Sequence, residues 1–200
     1  MDRSVHYLCM ARSIEFDVSK ALNKALVLFW RKGYQATSLV NLLEVMAIGR
    51  SSFYAAFGDK RTLFLECLDL FGARTKDIVM RSRTEMPPLD VLQNFLECSF
   101  VGSNDKQGQW GCMLVNTVLE LADVDAELSA RASMHLATMQ TIFEECLLDA
   151  GCAPKQAREM AALLMLVNEG VRVSSRRKLT PQQQSDPIKS AFRLIRSAVA

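Results

Sequence analysis

Apolar positions recur every three or four residues along most of this chain, and the pattern breaks at glycine, proline or short polar runs. That periodicity predicts helices joined by short connections. Val18, Ala21, Leu22, Ala25, Leu26, Phe29 and Trp30 form the first stripe, opened by Asp17 as a cap and closed by Gly33. Thr37 and Ser38, expected as a cap pair, then precede Leu39, Leu42, Leu43 and Met46, Ile48 and Gly49 interrupt the pattern, and Phe53, Tyr54 and Phe57 resume it. Leu63, Phe64, Cys67, Leu68, Leu70 and Phe71 start a long helix running from Lys60 to about residue 83, where Met86-Pro87-Pro88 stops it. Helices are expected again over 91–100, from 110 onward, over 125–150 up to Gly151, over 154–175, and over 187–199 with Asp186 as cap and Pro187 at the first position. The polar stretch 102–109 reads as a hinge loop. No alternating strand-like run stands out, so the fold class is all-α.

The stretch from Thr37 to Lys60 holds two short helices around a tight turn, the pattern of a helix-turn-helix, which lays its second helix in a DNA major groove. Any helical hairpin shows the same alternation, so the side chains have to decide. Arg50, Ser51 and Ser52 open the second helix with groups able to reach phosphates and base edges, while its aromatic residues turn back toward a core.

Composition adds little and charge adds more. The 200 residues are 50% hydrophobic and 23% charged with five prolines, which suits a compact chain able to bury a core. Residues 1–61 hold nine Lys or Arg against five Asp or Glu, a net of +4, whereas the remainder holds fifteen against seventeen, a net of −2. A polyanion would therefore meet the N-terminal third. In that third, Arg3 and Arg12 lie in a polar arm, residues 1–15, that either touches a minor groove or is simply solvated.

Six scattered cysteines form no C-x-x-C pair, and His6 and His135 are the two histidines, so neither a zinc site nor a disulfide framework is indicated and no metal or cofactor is expected. Glu120, His135 and Glu169 are too dispersed for a catalytic set, and no catalytic residue is assigned. Residues 1–12 lack the apolar core of a signal peptide and no run approaches the length of a membrane span, so a cytoplasmic protein with no membrane partner is expected.

Thr37-Ser38, then Ile48-Gly49-Arg50-Ser51-Ser52-Phe53-Tyr54-Ala55-Ala56-Phe57, then Asp59-Lys60 and Leu63-Phe64 resemble the DNA-binding domain of the TetR family of bacterial transcriptional regulators. Two positions depart from it: Ala47 stands where the family usually has glycine, and Gly49 where it often has serine or threonine. The resemblance implies a three-helix reading domain over 1–62 and a helical ligand-binding and dimerisation domain over 63–200. Its implied partners are double-stranded operator DNA, a second copy of the chain in a homodimer, and a small-molecule inducer of unidentified nature. Arg50, Ser51, Ser52 and Tyr54 would contact the operator, with Thr37 and Lys60 anchoring phosphates. The last two helices would pair across the dimer through Leu164, Met165, Asn168, Arg172, Phe192 and Ile195.

Inducer recognition is less sharply marked. Phe95, Trp110, Met113, Met134, His135, Met139 and Phe143 are candidates to line an adaptable apolar pocket, although the same residues serve equally as core. Cys112, beside Gly111 at an expected helix start, is a candidate redox sensor, and Gly-Cys here is similar to a subset of the family in which a cysteine senses reactive species. The reading is a repressor released from a palindromic operator by a small or reactive inducer. The alternative is a helical ligand-binding or thiol-sensing module that does not read DNA specifically.

Overall fold

A computed structural model describes residues 16–98, 110–177 and 179–199. The expected N-terminal arm with Arg3 and Arg12, and the expected hinge loop at 102–109, lie outside the described residues. Nine helices follow one another among the described residues, with no strand. Three short ones, α1 (Val18–Lys32), α2 (Leu39–Met46) and α3 (Arg50–Phe57), precede a long connector, α4 (Lys60–Ser82). The remaining elements are α5 (Pro88–Cys98), α6 (Met113–Leu121), α7 (Ala126–Asp149), α8 (Pro154–Ser174) and α9 (Pro181–Val199).

Local chemistry fixes the helix starts. Asp17, Asp59 and Asp125 each accept a backbone N–H from the residue three positions on, at 3.0, 2.7 and 3.1 Å. Ser38 and Asn41 cap α2 reciprocally: Ser38 Oγ accepts from the Asn41 N–H at 3.1 Å, and Asn41 Oδ1 accepts from the Ser38 N–H at 3.3 Å. Thr37 is therefore not a cap residue.

The start of α9 also differs from the expectation at Asp186-Pro187. Thr180 and Gln183 form a second reciprocal cap, with Thr180 Oγ1 accepting at 3.2 Å and Gln183 Oε1 accepting at 2.9 Å, and Pro181 takes the first helical position. This cap starts the helix before Pro187, which then sits inside it at the loss of one backbone bond.

The apolar side chains gather in two clusters. The first joins α1, α2, α3 and the first half of α4 to α6 and the opening of α7, through Phe29, Leu42, Phe53, Phe57, Phe64, Leu114 and Leu128 among others. The second holds the end of α4 together with α5, most of α7, α8 and α9. Leu136 packs against both clusters. Because α6 is built into the first cluster, where it packs on α1 and α4, the N-terminal helices are tied to the rest of the chain.

The turn between α2 and α3 carries one unfavourable residue. Ala47 sits in the left-handed region at φ 58° and ψ 45°, donating its N–H to Glu44 O at 3.2 Å. Its methyl costs about 1 kcal/mol there, part of which a glycine would return as lost unfolded-state entropy. Ala47→Gly is therefore expected to raise the thermal midpoint by about 2 °C, read by circular dichroism at fixed protein concentration. A lower midpoint would show that the turn is not strained.

Candidate nucleic-acid interface

Two aromatic anchors set the orientation of α3. Phe53 and Phe57 are fully buried, and the Phe57 ring lies 6.4 Å from that of Phe16. With that face turned inward, the helical period leaves Arg50, Ser51, Tyr54 and Ala55 exposed on the other side. Tyr54 is 49% exposed, its ring held edge-on against Phe53 at 5.5 Å, so the phenol projects outward on a fixed base. Ser52 is half-buried at the edge of this stripe. Gly49 supplies no side-chain oxygen to cap α3, and a Cβ there would meet nothing within 4 Å.

Flanking residues divide into those free to meet a phosphate and those already engaged. Thr37 belongs to the second group, which corrects the expectation that it anchors phosphate. Its side chain is wholly buried, and its hydroxyl donates to Gly33 O at 2.6 Å, closing the turn between α1 and α2. The exposed group at that helix start is Ser38.

Lys60 opens α4 half-buried, with Nζ 4.3 Å from the centre of the Tyr34 ring, and burial pulls its pKa down. Arg61 is pinned by Asp125 at 2.9 and 3.0 Å and by Glu127 at 2.6 Å, bonds that hold it fully protonated and turned to α7. Asp125 answers with a lowered pKa, first from Arg61 and then from the Leu128 N–H it also accepts.

The loop from Gly33 to Gln35, which delivers the chain to α2, is held from α6. The Glu120 carboxylate accepts the Tyr34 N–H at 3.0 Å and the Gln35 N–H at 2.7 Å. Gly33, at φ +85°, makes that approach possible, since a Cβ there would stand 2.6 Å from a Glu120 oxygen. Trp30 Nε1–H donates to Gly111 O at 3.0 Å, and its ring meets Trp110 edge-on at 5.5 Å. Sequence spacing holds no signal for these ties, which join positions 64 to 86 residues apart.

The seven expected pocket residues are spread over separate packing environments among the described residues. Phe95, Met139 and Phe143 lie in the second cluster, with the Phe95 ring 5.8 Å from Phe143 and 5.4 Å from the buried Arg172 guanidinium. Met113 belongs to the first cluster, and Trp110 meets Trp30 edge-on. His135 Nε2 lies 2.8 Å from Asp69 Oδ1 against α4, and Met134 is 51% exposed. An apolar groove of about 380 Å³ between α6, α7 and α8 is lined by Val118, Leu119, Leu136, Met165 and Glu169 among others. Among the described residues no group of three metal-ligating side chains is assembled.

Cys112 is buried at the residue before α6, and its sulfur partly offsets the burial that lowers the Arg172 pKa. Burial raises the thiol pKa of Cys67 and Cys152 and pushes that of Cys146 up to about 11, which keeps these three poor nucleophiles.

The residues expected at a dimer interface need a plainer correction. Leu164, Met165, Asn168, Arg172, Phe192 and Ile195 are all buried inside the single chain, where they close its second cluster. The apolar side chains these helices leave outward are Leu163, Leu166 and Val173 on α8 and Leu194 on α9. The resemblance implied that stripe of α8, but the helix carries apolar residues on two faces and spacing does not rank them.

Comparison with known proteins adds to this geometry. Residues 21–67 match the family described as bacterial regulatory proteins, tetR family, and residues 88–191 match the C-terminal domain of LmrA/YxaF-like transcriptional regulators. The HTH-type transcriptional regulator YezE of Bacillus subtilis (strain 168) is 27% identical over 165 residues, 80% of this chain and 84% of the relative. The HTH-type transcriptional repressor ComR of Escherichia coli (strain K12) is 27% identical over 168 residues, 80% of each chain. Among solved structures, a cysteine mutant of the TetR family regulator CifR, complexed with a 26bp double-strand operator DNA, shares the fold at a TM-score of 0.75. It is 24% identical, and the match covers 89% of this chain and 96% of that one.

Proposed function

This chain belongs to the TetR family of bacterial transcriptional regulators, and from that premise we propose that it is a cytoplasmic homodimeric repressor whose two α3 helices read the half-sites of a palindromic operator. The observation that carries the proposal is the outward stripe of Arg50, Ser51, Tyr54 and Ala55, held rigid by buried Phe53 and Phe57. Arg50 and Ser51 offer donors to base edges and phosphates, Tyr54 a donor on a flat apolar ring, and the Ala55 methyl a contact for thymine. Lys60 and the exposed start of α2 at Ser38 flank the stripe and serve the phosphate backbone.

One α3 buries too little DNA for strong specificity, so a two-fold pair reading half-sites a helical turn or its multiples apart is the economical arrangement. The outward leucines of α8 and α9, rather than the buried residues beside them, are the surface for that pairing. Release follows when a small molecule binds more tightly to an arrangement of the two reading units whose spacing no longer fits B-DNA.

Fluorescence anisotropy against the promoter of the protein's own gene and against a scrambled duplex, at two salt concentrations, tests the reading. Expected are preferential binding to the promoter that survives modest salt, and two protomers per site. Equal, salt-sensitive affinity for both duplexes would reduce the stripe to an ordinary basic surface.

A further inference from the structure

Where the end of α1 meets α6 and the 3-10 turn after α8 (Ser175–Arg177), a polar cleft of about 360 Å³ opens beside the loop that leads to the reading helices. Its walls carry three cations, Arg31, Lys32 and Arg176, against a single carboxylate, Glu120, with the Trp30 ring and Leu119 supplying apolar surface. None of the three cations forms an ion pair among the described residues, although Arg83, Arg131, Arg158 and Arg196 each do. Arg176 is aimed by one bond, its Nε donating to Trp110 O at 3.2 Å, which leaves its two terminal nitrogens for another acceptor. The one carboxylate offsets only part of the positive charge in the cleft, and both its oxygens are engaged by the Tyr34 and Gln35 amides.

We propose that this cleft binds a small aromatic anion, a carboxylate or a phosphate ester, and that its occupation loosens the reading domain. The inference rests on the repressor reading above and names the class of its effector. Arg31, Lys32 and Arg176 take the anionic group, and Trp30 and Leu119 take the ring. A negative charge placed there repels the Glu120 carboxylate and competes with its hold on the Tyr34 and Gln35 N–H groups. Once that hold slackens, the Gly33–Gln35 loop no longer fixes the start of α2. The ligand prefers the released arrangement because the repulsion is absent there, which is the differential affinity that any effector needs.

The chain's two tryptophans, Trp30 and Trp110, stand 5.5 Å apart at this cleft, so intrinsic emission reports on it directly and without DNA. Benzoate and phenyl phosphate are the probes for the two anion chemistries, with benzyl alcohol as the neutral control. Expected are a saturable emission change with one or both anions and none with the alcohol. Affinity should fall about tenfold or more in Arg31→Ala/Arg176→Ala, as for the loss of charge-assisted bonds. The same anion should weaken wild-type operator binding about fivefold or more. Glu120→Gln should bind the anion more tightly yet transmit less of its effect to DNA.

Absence of a saturable response to either anion up to about 10 mM, weaker than any useful effector, overturns the site. So does an unchanged response in the double variant. Binding that leaves operator affinity untouched overturns the coupling. If the protein proves not to read DNA at all, the emission titration still stands or falls by itself, so failure of the cleft and failure of the repressor reading are told apart.

Discussion

In a chain carrying Arg50→Ala and Tyr54→Ala, operator affinity is expected to fall to the level of a scrambled duplex, a loss of about a thousandfold or more. Each base contact of this kind is worth roughly 1–3 kcal/mol, and a two-fold dimer loses every contact twice. Both side chains are exposed, and the anchors Phe53 and Phe57 are untouched, so thermal stability should stay within about 0.5 kcal/mol of wild type. Lys60→Ala makes the informative contrast. Removing one phosphate partner per protomer should weaken binding to operator and scrambled duplex alike and flatten the salt dependence, with discrimination preserved. Anisotropy on the three proteins separates these outcomes. Operator affinity unchanged in the double variant would mean that α3 does not read bases.

That experiment is possible because the reading helix was almost fully legible in the sequence, and the reason is physical. Phe53 and Phe57 stand four residues apart, and burying that pair leaves one outward stripe, so Arg50, Ser51 and Tyr54 could be placed from spacing. Caps were legible where their signature is local, as at Asp17 and Asp59. The same rule went astray where two local signals compete. Thr37 and Ser38 both resemble a cap, and only the exposed Ser38 answers Asn41, while Thr37 turns inward to Gly33 O. Pro187 after Asp186 looks like a helix start, but the Thr180–Gln183 cap had already begun the helix.

Contacts between distant positions were not legible at all. Glu120 reads in the sequence as an acidic residue too far from His135 and Glu169 to form a set, and nothing in its spacing links it to Tyr34 or Gln35. In the structure Glu120 holds the loop before α2, and Arg61 is paired with Asp125 and Glu127 at the start of α7. Beside these ties, α6 and the start of α7 share one apolar cluster with α1, α2, α3 and the first half of α4. A ligand acting on α6 or on the cleft beside it therefore has a short path to the start of α2, whereas α9 packs on α5 and α8 and lies further from it.

The second large effect is expected at the dimer surface. Leu163 and Leu166 are 56% and 66% exposed, one turn apart on a face of α8 that also bears Gly170, where the helix backbone is open to close approach. A two-fold contact through this face would cover four leucines, and each fully buried one contributes about 1.5–3 kcal/mol. Leu163→Glu/Leu166→Glu replaces that gain with four carboxylates crowded at the axis, which the pair cannot bury. The variant should sediment as a monomer at concentrations where the wild type is a dimer. Its helix content should be kept, because Leu164, Met165 and Asn168 still close the second cluster from the other side of α8. Its affinity for the full operator should drop by about a hundredfold or more, the avidity lost with bivalence, while affinity for an isolated half-site stays as it was. Loss of half-site binding together with dimerisation would instead point to damage of the fold. A variant that remains a dimer would place the interface elsewhere, and the outward leucines of α8 would then need another partner.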